Sequence, residues 1–229
     1  MPSWGIHLAT ANEILNKIEI KDKNAFIIGN FIPDAERYVI QDFSIFVPYN
    51  TTHFPEIQEG SNKLPNYNKF FHKYLNKMNN PLILGYLIHL LTDYYWNNIT
   101  HTRYPIKYEN ENFGTLKLNN GIIISADKNI RKKLKHNDFY IFDNFLMRTY
   151  KFITPEYNEN LTNYIKDIEE IPYNKNDFIK IVNFFTDKLK NESNEITNDY
   201  KLYTLEQMKK DFKNSIEFII NFLKNNGIV

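Results

Sequence analysis

Apolar side chains recur at helical spacing over most of the 229-residue chain, and this pattern predicts an all-α, multi-helix bundle. Two stretches interrupt it. Residues 32–66 contain four prolines and are expected to be irregular, and residues 99–122 form a polar connection. Helices are predicted at about residues 4–18, 23–31, 67–78, 81–98, 126–135, 138–152, 157–168, 174–192 and 203–226.

Local signals refine this outline. Asn119-Asn120-Gly121 is typical of a tight turn and predicts a small hairpin between residues 115–118 and 122–124. His136-Asn137-Asp138 is interpreted as a helix start, with Asn137 or Asp138 as its N-cap. The last helix carries an apolar stripe at helical spacing, which predicts a core-facing surface formed by Leu205, Met208, Phe212, Ile216, Ile219, Ile220 and Leu223.

The helix predicted over residues 81–98 carries a histidine and a carboxylate, His89 and Asp93. They lie four residues apart in the run from Gly85 to Trp96 and therefore share one face of the helix. Most of the other positions are apolar, which indicates burial on all sides. A buried carboxylate is almost always paired or bound to a metal. The pair is therefore either a hydrogen bond that fixes packing or part of a site for a divalent ion.

Three further candidates precede this helix. His7 lies on the inward face of the first helix, for which Ser3 is the expected N-cap. Asp34 ends an apolar run and follows Pro33, which restricts the backbone. His53 is flanked by an aromatic residue in a connection that contains several prolines. Each alone has a structural interpretation, as a core histidine, a helix cap or a surface-loop residue. Together with the His–Asp helix they favour a shared metal site.

The order of these residues resembles the zinc-dependent phospholipase C family, which is related to single-strand-specific nucleases. The resemblance covers residues 3–98, and its most specific parts are Thr52-His53-Phe54 and His89-x-x-x-Asp93. It implies a helical bundle that holds a cluster of zinc ions, and a hydrolase acting on phosphodiesters of lipids or small molecules.

The resemblance also assigns roles to individual residues. Asp34, His53, His89 and Asp93 match the four ligands of one zinc ion. Asp93 also matches the carboxylate that bridges to a second zinc ion, and His7 matches a ligand of that second ion. Asp34 is in addition the candidate catalytic residue, as a general base or a carboxylate that orients water.

The chain departs from the family pattern in two places. Trp4 lies only three residues before His7, which is too close for the role of the family's amino-terminal Trp in the second site. The family's His-x-x-x-Glu pair, which binds a remaining zinc, has no counterpart here, although His101 follows Asp93 at roughly the distance of another family ligand. One or two zinc ions are therefore expected, and iron or manganese would also suit imidazole and carboxylate ligands.

Composition narrows the possibilities further. The length suits a single domain over residues 1–229, and a formal net charge of +1 gives no strong attraction to nucleic acid. The absence of cysteine excludes disulfides and thiolate ligands. The start of the chain lacks the features of a signal peptide, and no apolar run reaches the length of a membrane span. We therefore expect a cytoplasmic protein without a transmembrane segment.

Two functions follow from the sequence. The first is a zinc-dependent phosphodiesterase similar to phospholipase C. The second is a non-catalytic helical domain that a degenerate zinc site stabilises, which the missing His-x-x-x-Glu pair favours. A third class of metal-dependent phosphohydrolase, marked by adjacent His-Asp residues, is excluded because the chain contains no such dipeptide.

Overall fold

The computed structural model describes residues 3–37, 47–55, 64–110, 113–190 and 198–229. These residues form helices and one small antiparallel sheet, so the predicted mostly helical fold is confirmed. The helices are α1 (Trp4–Leu15), α2 (Lys23–Gly29), α3 (Tyr49–His53), α4 (Tyr67–Tyr74), α5 (Pro81–Arg103), α6 (Lys128–Thr149), α7 (Asn160–Ile165), α8 (Lys175–Lys190) and α9 (Leu205–Asn225), with short 3-10 segments at Ile32–Arg37 and Leu75–Lys77.

Helix α5 is the central element, and its first three turns are buried on every side. The side chain of Asn80 caps it by accepting the amides of Leu82 and Ile83 at 3.0 and 3.4 Å. The sequence prediction ended this helix at residue 98, five residues too early. The helix continues because its polar residues find partners inside the protein; the Thr100 hydroxyl, for example, lies 2.6 Å from the Tyr203 hydroxyl.

Two glycines allow α2 to cross α5 at very short range. A Cβ on Gly29 would lie 2.0 Å from the carbonyl oxygen of Leu82, and a Cβ on Gly85 would lie 2.0 Å from that of Phe26. Only glycine fits at such a backbone approach. The crossing brings the carboxyl end of α2, at Asn30, against the middle of α5.

Helix α6 replaces two predicted helices, so the proposed helix start at His136–Asp138 is wrong. Asp138 lies inside α6, and its carboxylate accepts the backbone amides of residues 201–203 at 2.7, 2.7 and 2.9 Å. Aspartate often caps the helix that it precedes, but Asp138 instead binds the backbone of the segment that leads into α9. Local sequence could not distinguish the two uses, because the partner amides lie more than sixty residues away.

A carboxylate of α6 also caps α1. Ser3 occupies the N-cap position as expected, but its hydroxyl donates to the carbonyl of Phe139 at 3.3 Å and does not cap the helix. The Asp143 carboxylate accepts the amides of Gly5 and Ile6 at 3.2 and 2.9 Å. Helix α1 therefore receives at its amino end the negative charge that its dipole favours.

The small sheet consists of β1 (Lys107–Tyr108), β2 (Gly114–Lys117) and β3 (Ile123–Ala126), paired antiparallel in that order. The hairpin predicted around Asn119-Asn120-Gly121 is therefore present, with Gly121 at φ +87° in its turn. The predicted polar connection, residues 99–122, thus contains the end of α5 and the strands β1 and β2, and β3 follows it directly.

The closing helix α9 starts at a capping box formed by Thr204 and Gln207. Its predicted stripe faces the core through Met208, Phe212, Ile216, Ile219 and Leu223, all buried.

No helix in the described ranges combines the length and the apolar character that crossing a membrane requires.

Candidate metal centre

The five candidate residues converge on one place from four segments of the chain. His7 comes from α1, Asp34 from the 3-10 segment that follows α2, His53 from the last position of α3, and His89 and Asp93 from α5. All five are buried; the side chain of Asp34 is the most exposed, at 6%. The α2–α5 crossing and the short segments after it bring these distant positions together.

His53 lies at the middle of the cluster. Its Nε2 is 3.1 Å from Nε2 of His89, 3.5 Å from Oδ1 of Asp34 and 3.4 Å from Oδ2 of Asp93. On the far side of Asp93, Oδ1 lies 3.2 Å from Nε2 of His7. The rings of His7 and His89 are stacked with centroids 4.0 Å apart.

The hydrogen bonds of His89 indicate which of its ring nitrogens carries a proton. Its Nδ1 lies 2.9 Å from the carbonyl oxygen of Asn30, which can only accept. We therefore assign the proton to Nδ1, which leaves Nε2 with a free lone pair pointing into the cluster. A histidine that binds metal through one nitrogen commonly donates the other N–H to a carbonyl in this way.

His53 has the same arrangement. Its Nδ1 lies 2.8 Å from the hydroxyl of Thr52, and that hydroxyl donates to the carbonyl of Tyr49 at 3.3 Å. The hydroxyl therefore accepts from Nδ1, and Nε2 again presents a lone pair. Two lone pairs that face each other at 3.1 Å repel, and a shared cation removes that repulsion. This is the chemistry of a metal-binding pair of imidazoles.

Potential ligand atoms fall into two groups of three within the described residues. One group is His7, His89 and Asp93, and the other is Asp34, His53 and His89; in each group the ligand atoms lie within 4.8 Å of one another. His89 belongs to both groups, and the two oxygens of Asp93 face His7 and His53 respectively. The two groups would suit one ion or two closely spaced ions, and Asp93 presents one oxygen toward each group.

Several polar atoms of the cluster lack hydrogen bonds within the described part of the chain. They include both ring nitrogens of His7 and both carboxylate oxygens of Asp93. Fully buried polar groups without partners cost folding free energy. Bonds from these atoms to a divalent ion would remove that cost, so the residues fit a metal ion.

The protonation equilibria agree with this interpretation. Burial is the largest influence on His89, and with the neighbouring His7 it holds the pKa of the imidazole well below its usual value. Burial alone would raise the pKa of Asp93, but the contacts with His53 and His7 outweigh it and hold that pKa well below the usual value. Neutral imidazole and ionised carboxylate are the protonation states that ligate metals.

Sequence reasoning missed the residues that hold the ligands in place. Asn30 orients His89 through its carbonyl, and its side-chain amide donates to the carbonyl of His7 at 2.9 Å. The Tyr86 hydroxyl donates to the carbonyl of Thr52 at 2.6 Å and so supports the residue that orients His53. Asn30 could have been found, because it is the one polar side chain in the apolar run 25–33.

A crevice too narrow to hold a water molecule lies against the cluster. Besides the ligand candidates, its lining includes Trp4, Phe31 and Phe185, all buried. The rings of Phe31 and Phe185 stack with centroids 4.4 Å apart. The apolar wall excludes water and strengthens electrostatic interactions inside the site.

His101 is not brought into the cluster. It lies two turns beyond Asp93 on α5 and belongs to neither group of potential ligands found among the described residues. The expected family ligand after the His–Asp pair therefore has no counterpart in this position.

Helices surrounding a buried cluster of three imidazoles and two carboxylates define a metal-binding protein of mostly helical fold. The family model for zinc-dependent phospholipase C matches residues 6–216, so the chain belongs to that family and zinc is the family's metal. Comparisons with curated proteins and with solved structures give no significant match.

Proposed function

We propose that this protein is a zinc-dependent phosphodiesterase that cleaves the phosphodiester bond of a lipid or of a related small molecule. One observation carries the proposal: the Nε2 atoms of His53 and His89 face each other at 3.1 Å, and carboxylate oxygens of Asp34 and Asp93 lie close to the His53 nitrogen. Imidazole nitrogens and carboxylate oxygens arranged in this way suit a divalent ion. Membership of the zinc-dependent phospholipase C family supports a phosphodiester as the substrate class.

In this proposal, His53, His89 and Asp34 hold one zinc ion, and His7 with Asp93 completes the site or holds a second. Zinc supplies Lewis acidity toward a phosphoryl oxygen and toward water. The Asn30 carbonyl and the Thr52 hydroxyl orient the rings of His89 and His53, so that Nε2 of each ring faces the cluster.

Asp34 is the proposed proton acceptor. Its Oδ1 faces His53 at 3.5 Å and His89 at 4.0 Å, and its side chain is the most exposed of the five. A carboxylate has two oxygens, so one can face the metal while the other accepts the proton of the attacking water. The 3-10 segment Ile32–Arg37 holds the backbone of Asp34, whose amide donates to the carbonyl of Phe31 at 3.0 Å.

The second candidate is a non-catalytic domain that zinc stabilises. Its support is the burial of the cluster, since four of the five side chains are at most 1% exposed and buried aromatic rings line the adjoining space. A metal with all its positions filled by protein would be structural, whereas an open position would favour catalysis.

The test is hydrolysis by protein reconstituted with one to two equivalents of zinc. Short-chain phosphatidylcholine and bis(p-nitrophenyl) phosphate would serve as lipid and non-lipid diesters. Wild type should release the phosphorylated head group or p-nitrophenol, and Asp34→Asn should lower kcat by about 100-fold or more if the carboxylate is a general base. His72→Ala, at an exposed position, is the matched control.

The two candidate functions give opposite results. Turnover that depends on both zinc and Asp34 supports the hydrolase. Stoichiometric zinc with no turnover of either diester, together with a chelator-sensitive melting temperature, would support the structural role instead.

A further inference from the structure

A cavity of about 430 Å³ lies between α1, α6 and α9. Its volume falls in the lower part of the range of small-molecule sites in proteins, about 300–1,000 Å³. None of the five candidate metal ligands lines it, and it shares no lining residue with the crevice beside the metal cluster. The cavity, which we call the α1–α6–α9 cavity, is therefore a candidate binding site separate from the metal centre.

The deeper part of its lining is apolar. The rings of Phe142 and Phe212 meet edge to face with centroids 6.2 Å apart, and Phe142 stacks on Phe145 at 5.7 Å. Leu146 and Ile216 extend this surface and are buried, at 1% and 4% exposed. Rings that pack on one another hold the surface in shape, and a hydrocarbon chain gains free energy when such a surface covers it.

The remaining lining is mostly charged. It contains three lysines and two glutamates, which are Lys17, Lys209, Lys213, Glu13 and Glu217. Lys209 forms an ion pair with Glu206 at 2.9 Å. Lys17 and Lys213 are exposed, and neither belongs to an ion pair within 4.0 Å among the described residues. Two ammonium groups are therefore available to a ligand that enters from solvent.

One of the two carboxylates already has a partner in the protein. Burial, followed by the charge of Glu13, raises the pKa of Tyr150 to about 12. The phenol therefore keeps its proton at neutral pH and acts as a donor toward Glu13. That leaves Lys17 and Lys213 against Glu217, so positive charge is in excess where the cavity meets solvent.

We propose that the α1–α6–α9 cavity binds a single-chain amphiphile with an anionic head group, with the chain against the aromatic lining and the head group near Lys17 and Lys213. A fatty acid and a monoalkyl phosphate share this chemistry. Ammonium groups form charge-assisted hydrogen bonds with both kinds of head group. The modest volume favours one chain over two. The proposal goes beyond the proposed function and needs neither zinc nor hydrolysis.

The first experiment tests the apolar lining by calorimetric titration of the zinc-loaded protein. The ligands are sodium octanoate, decanoate and dodecanoate, each below its critical micelle concentration. Affinity should rise about fourfold for each CH₂ group that the cavity covers. Affinity that does not rise with chain length would mean that the chain stays in solvent, and would overturn the proposal.

The second experiment tests the head-group charge. The double variant Lys17→Glu/Lys213→Glu should bind dodecanoate about tenfold more weakly, because it loses two exposed ion pairs. Lys224→Glu, at an exposed position of α9 outside the lining, is the matched control and should bind like wild type. Dodecyltrimethylammonium has the same chain and the opposite charge. Wild type should bind it more weakly than dodecanoate, and equal or tighter binding would overturn the proposal.

The third experiment locates the ligand, because a carboxylate could also bind to zinc. Thr149→Trp would place a large ring in the lining from an exposed position at the end of α6. It should weaken dodecanoate about tenfold or more, with the zinc content and the melting temperature of wild type. Undiminished dodecanoate affinity in both Thr149→Trp and the double lysine variant would place the ligand outside the cavity.

Dodecyl phosphate distinguishes the two sources of the head group. It has the same chain as dodecanoate but carries a head group of higher charge. Tighter binding of dodecyl phosphate that is lost in the double lysine variant would assign a monoalkyl phosphate. Equal or weaker binding would assign a fatty acid.

Discussion

The placement of single protons determines what the cluster can bind. The carbonyl of Asn30 and the hydroxyl of Thr52 each fix one imidazole N–H, so the opposite nitrogens of His89 and His53 face each other as bases. No property of the individual residue types contains this information. It arises because the hydroxyl of neighbouring Thr52 lies against Nδ1 of His53, and the carbonyl of Asn30, 59 positions away in sequence, lies against Nδ1 of His89.

Removal of His89 tests this arrangement. His89→Ala should abolish stoichiometric zinc binding, because His89 belongs to both groups of potential ligands. It should also lower the free energy of unfolding by about 3–5 kcal/mol, the typical cost of leaving a buried charge without its partner. Elemental analysis and urea unfolding measure the two effects.

His72→Ala provides the comparison, because His72 is exposed. Its unfolding free energy should change by no more than about 0.5 kcal/mol, with zinc content unaltered. Equal zinc content in wild type and His89→Ala would mean that the His–Asp pair is only a packing contact.

The depressed pKa of His101 predicts a pH dependence of stability. Its folded-state pKa of about 4 lies below the unfolded-state value of about 6.5, so the unfolded chain takes up the proton first as pH falls. The residue therefore has no effect on stability well above pH 6.5 and destabilises the fold progressively from there down to about pH 4. At about pH 5 we expect His101→Gln to recover about 1 kcal/mol, allowing for its partial exposure.

Urea unfolding of wild type and His101→Gln at pH 7 and at pH 5 measures this recovery. The substitution removes only one titrating group, so the variant's gain should be present at the lower pH and absent at the higher. An equal difference at both pH values would attribute the effect to packing and not to protonation.

At the scale of the residue, amino-acid types and their spacing were enough to select the five candidate metal ligands. They were not enough to find the residues that hold those ligands in place. His7, Asp34, His53, His89 and Asp93 are polar in apolar surroundings, and that contrast is visible in the sequence. Tyr86 looks like any core aromatic until its hydroxyl is seen on the Thr52 carbonyl. Its role depends on a contact across 34 positions of sequence, which a local pattern cannot contain.

At the scale of the element, the α2–α5 crossing sets the distance between the Asn30 carbonyl and His89. Gly85→Ala would place a methyl group 2.0 Å from the Phe26 carbonyl and push the helices apart. We expect a loss of about 1–3 kcal/mol or more in the free energy of unfolding, together with weaker zinc binding, because the Asn30–His89 hydrogen bond would lengthen.

Denaturant unfolding and zinc titration of Gly85→Ala measure the two losses. Asn98→Ala, on the exposed face of the same helix, is the matched control and should be neutral or slightly stabilising. Wild-type zinc affinity in a folded Gly85→Ala protein would show that the crossing does not position the ligands.

The periodicity of apolar residues was enough to predict that the helices exist. Their ends, however, depend on hydrogen bonds to residues far away in the sequence. Helix α5 continues past its predicted end because the side chains of Asn97 and Thr100 form hydrogen bonds with Lys135 and Tyr203. Helix α6 continues through His136–Asp138 because the Asp138 carboxylate accepts the backbone amides of residues 201–203 and does not cap a helix start. In each case a polar residue that usually marks an element's end was used in a tertiary contact.

At the scale of the whole molecule, the cluster joins four segments that are far apart in the sequence. His7 is in the first helix and His89 in the central one, while Asp34 lies in the 3-10 segment Ile32–Arg37 and His53 in the five-residue helix α3. An ion that binds all of them ties these segments together only in the folded state. Zinc binding is therefore expected to add to the free energy of unfolding.

Removal of zinc should consequently destabilise the whole fold. At free zinc about 1,000-fold above the dissociation constant, binding contributes about 4 kcal/mol to folding, which for a chain of this length corresponds to a melting temperature change on the order of 10 °C. Wild type should show that drop when dialysed against a strong chelator and regain the original value when zinc is restored. His89→Ala should melt at one temperature with or without chelator, since it has no bound ion to lose. The same melting temperature for wild type before and after chelation, with zinc removal verified by elemental analysis, would show that the ion does not stabilise the fold and that the two short segments are held by packing alone.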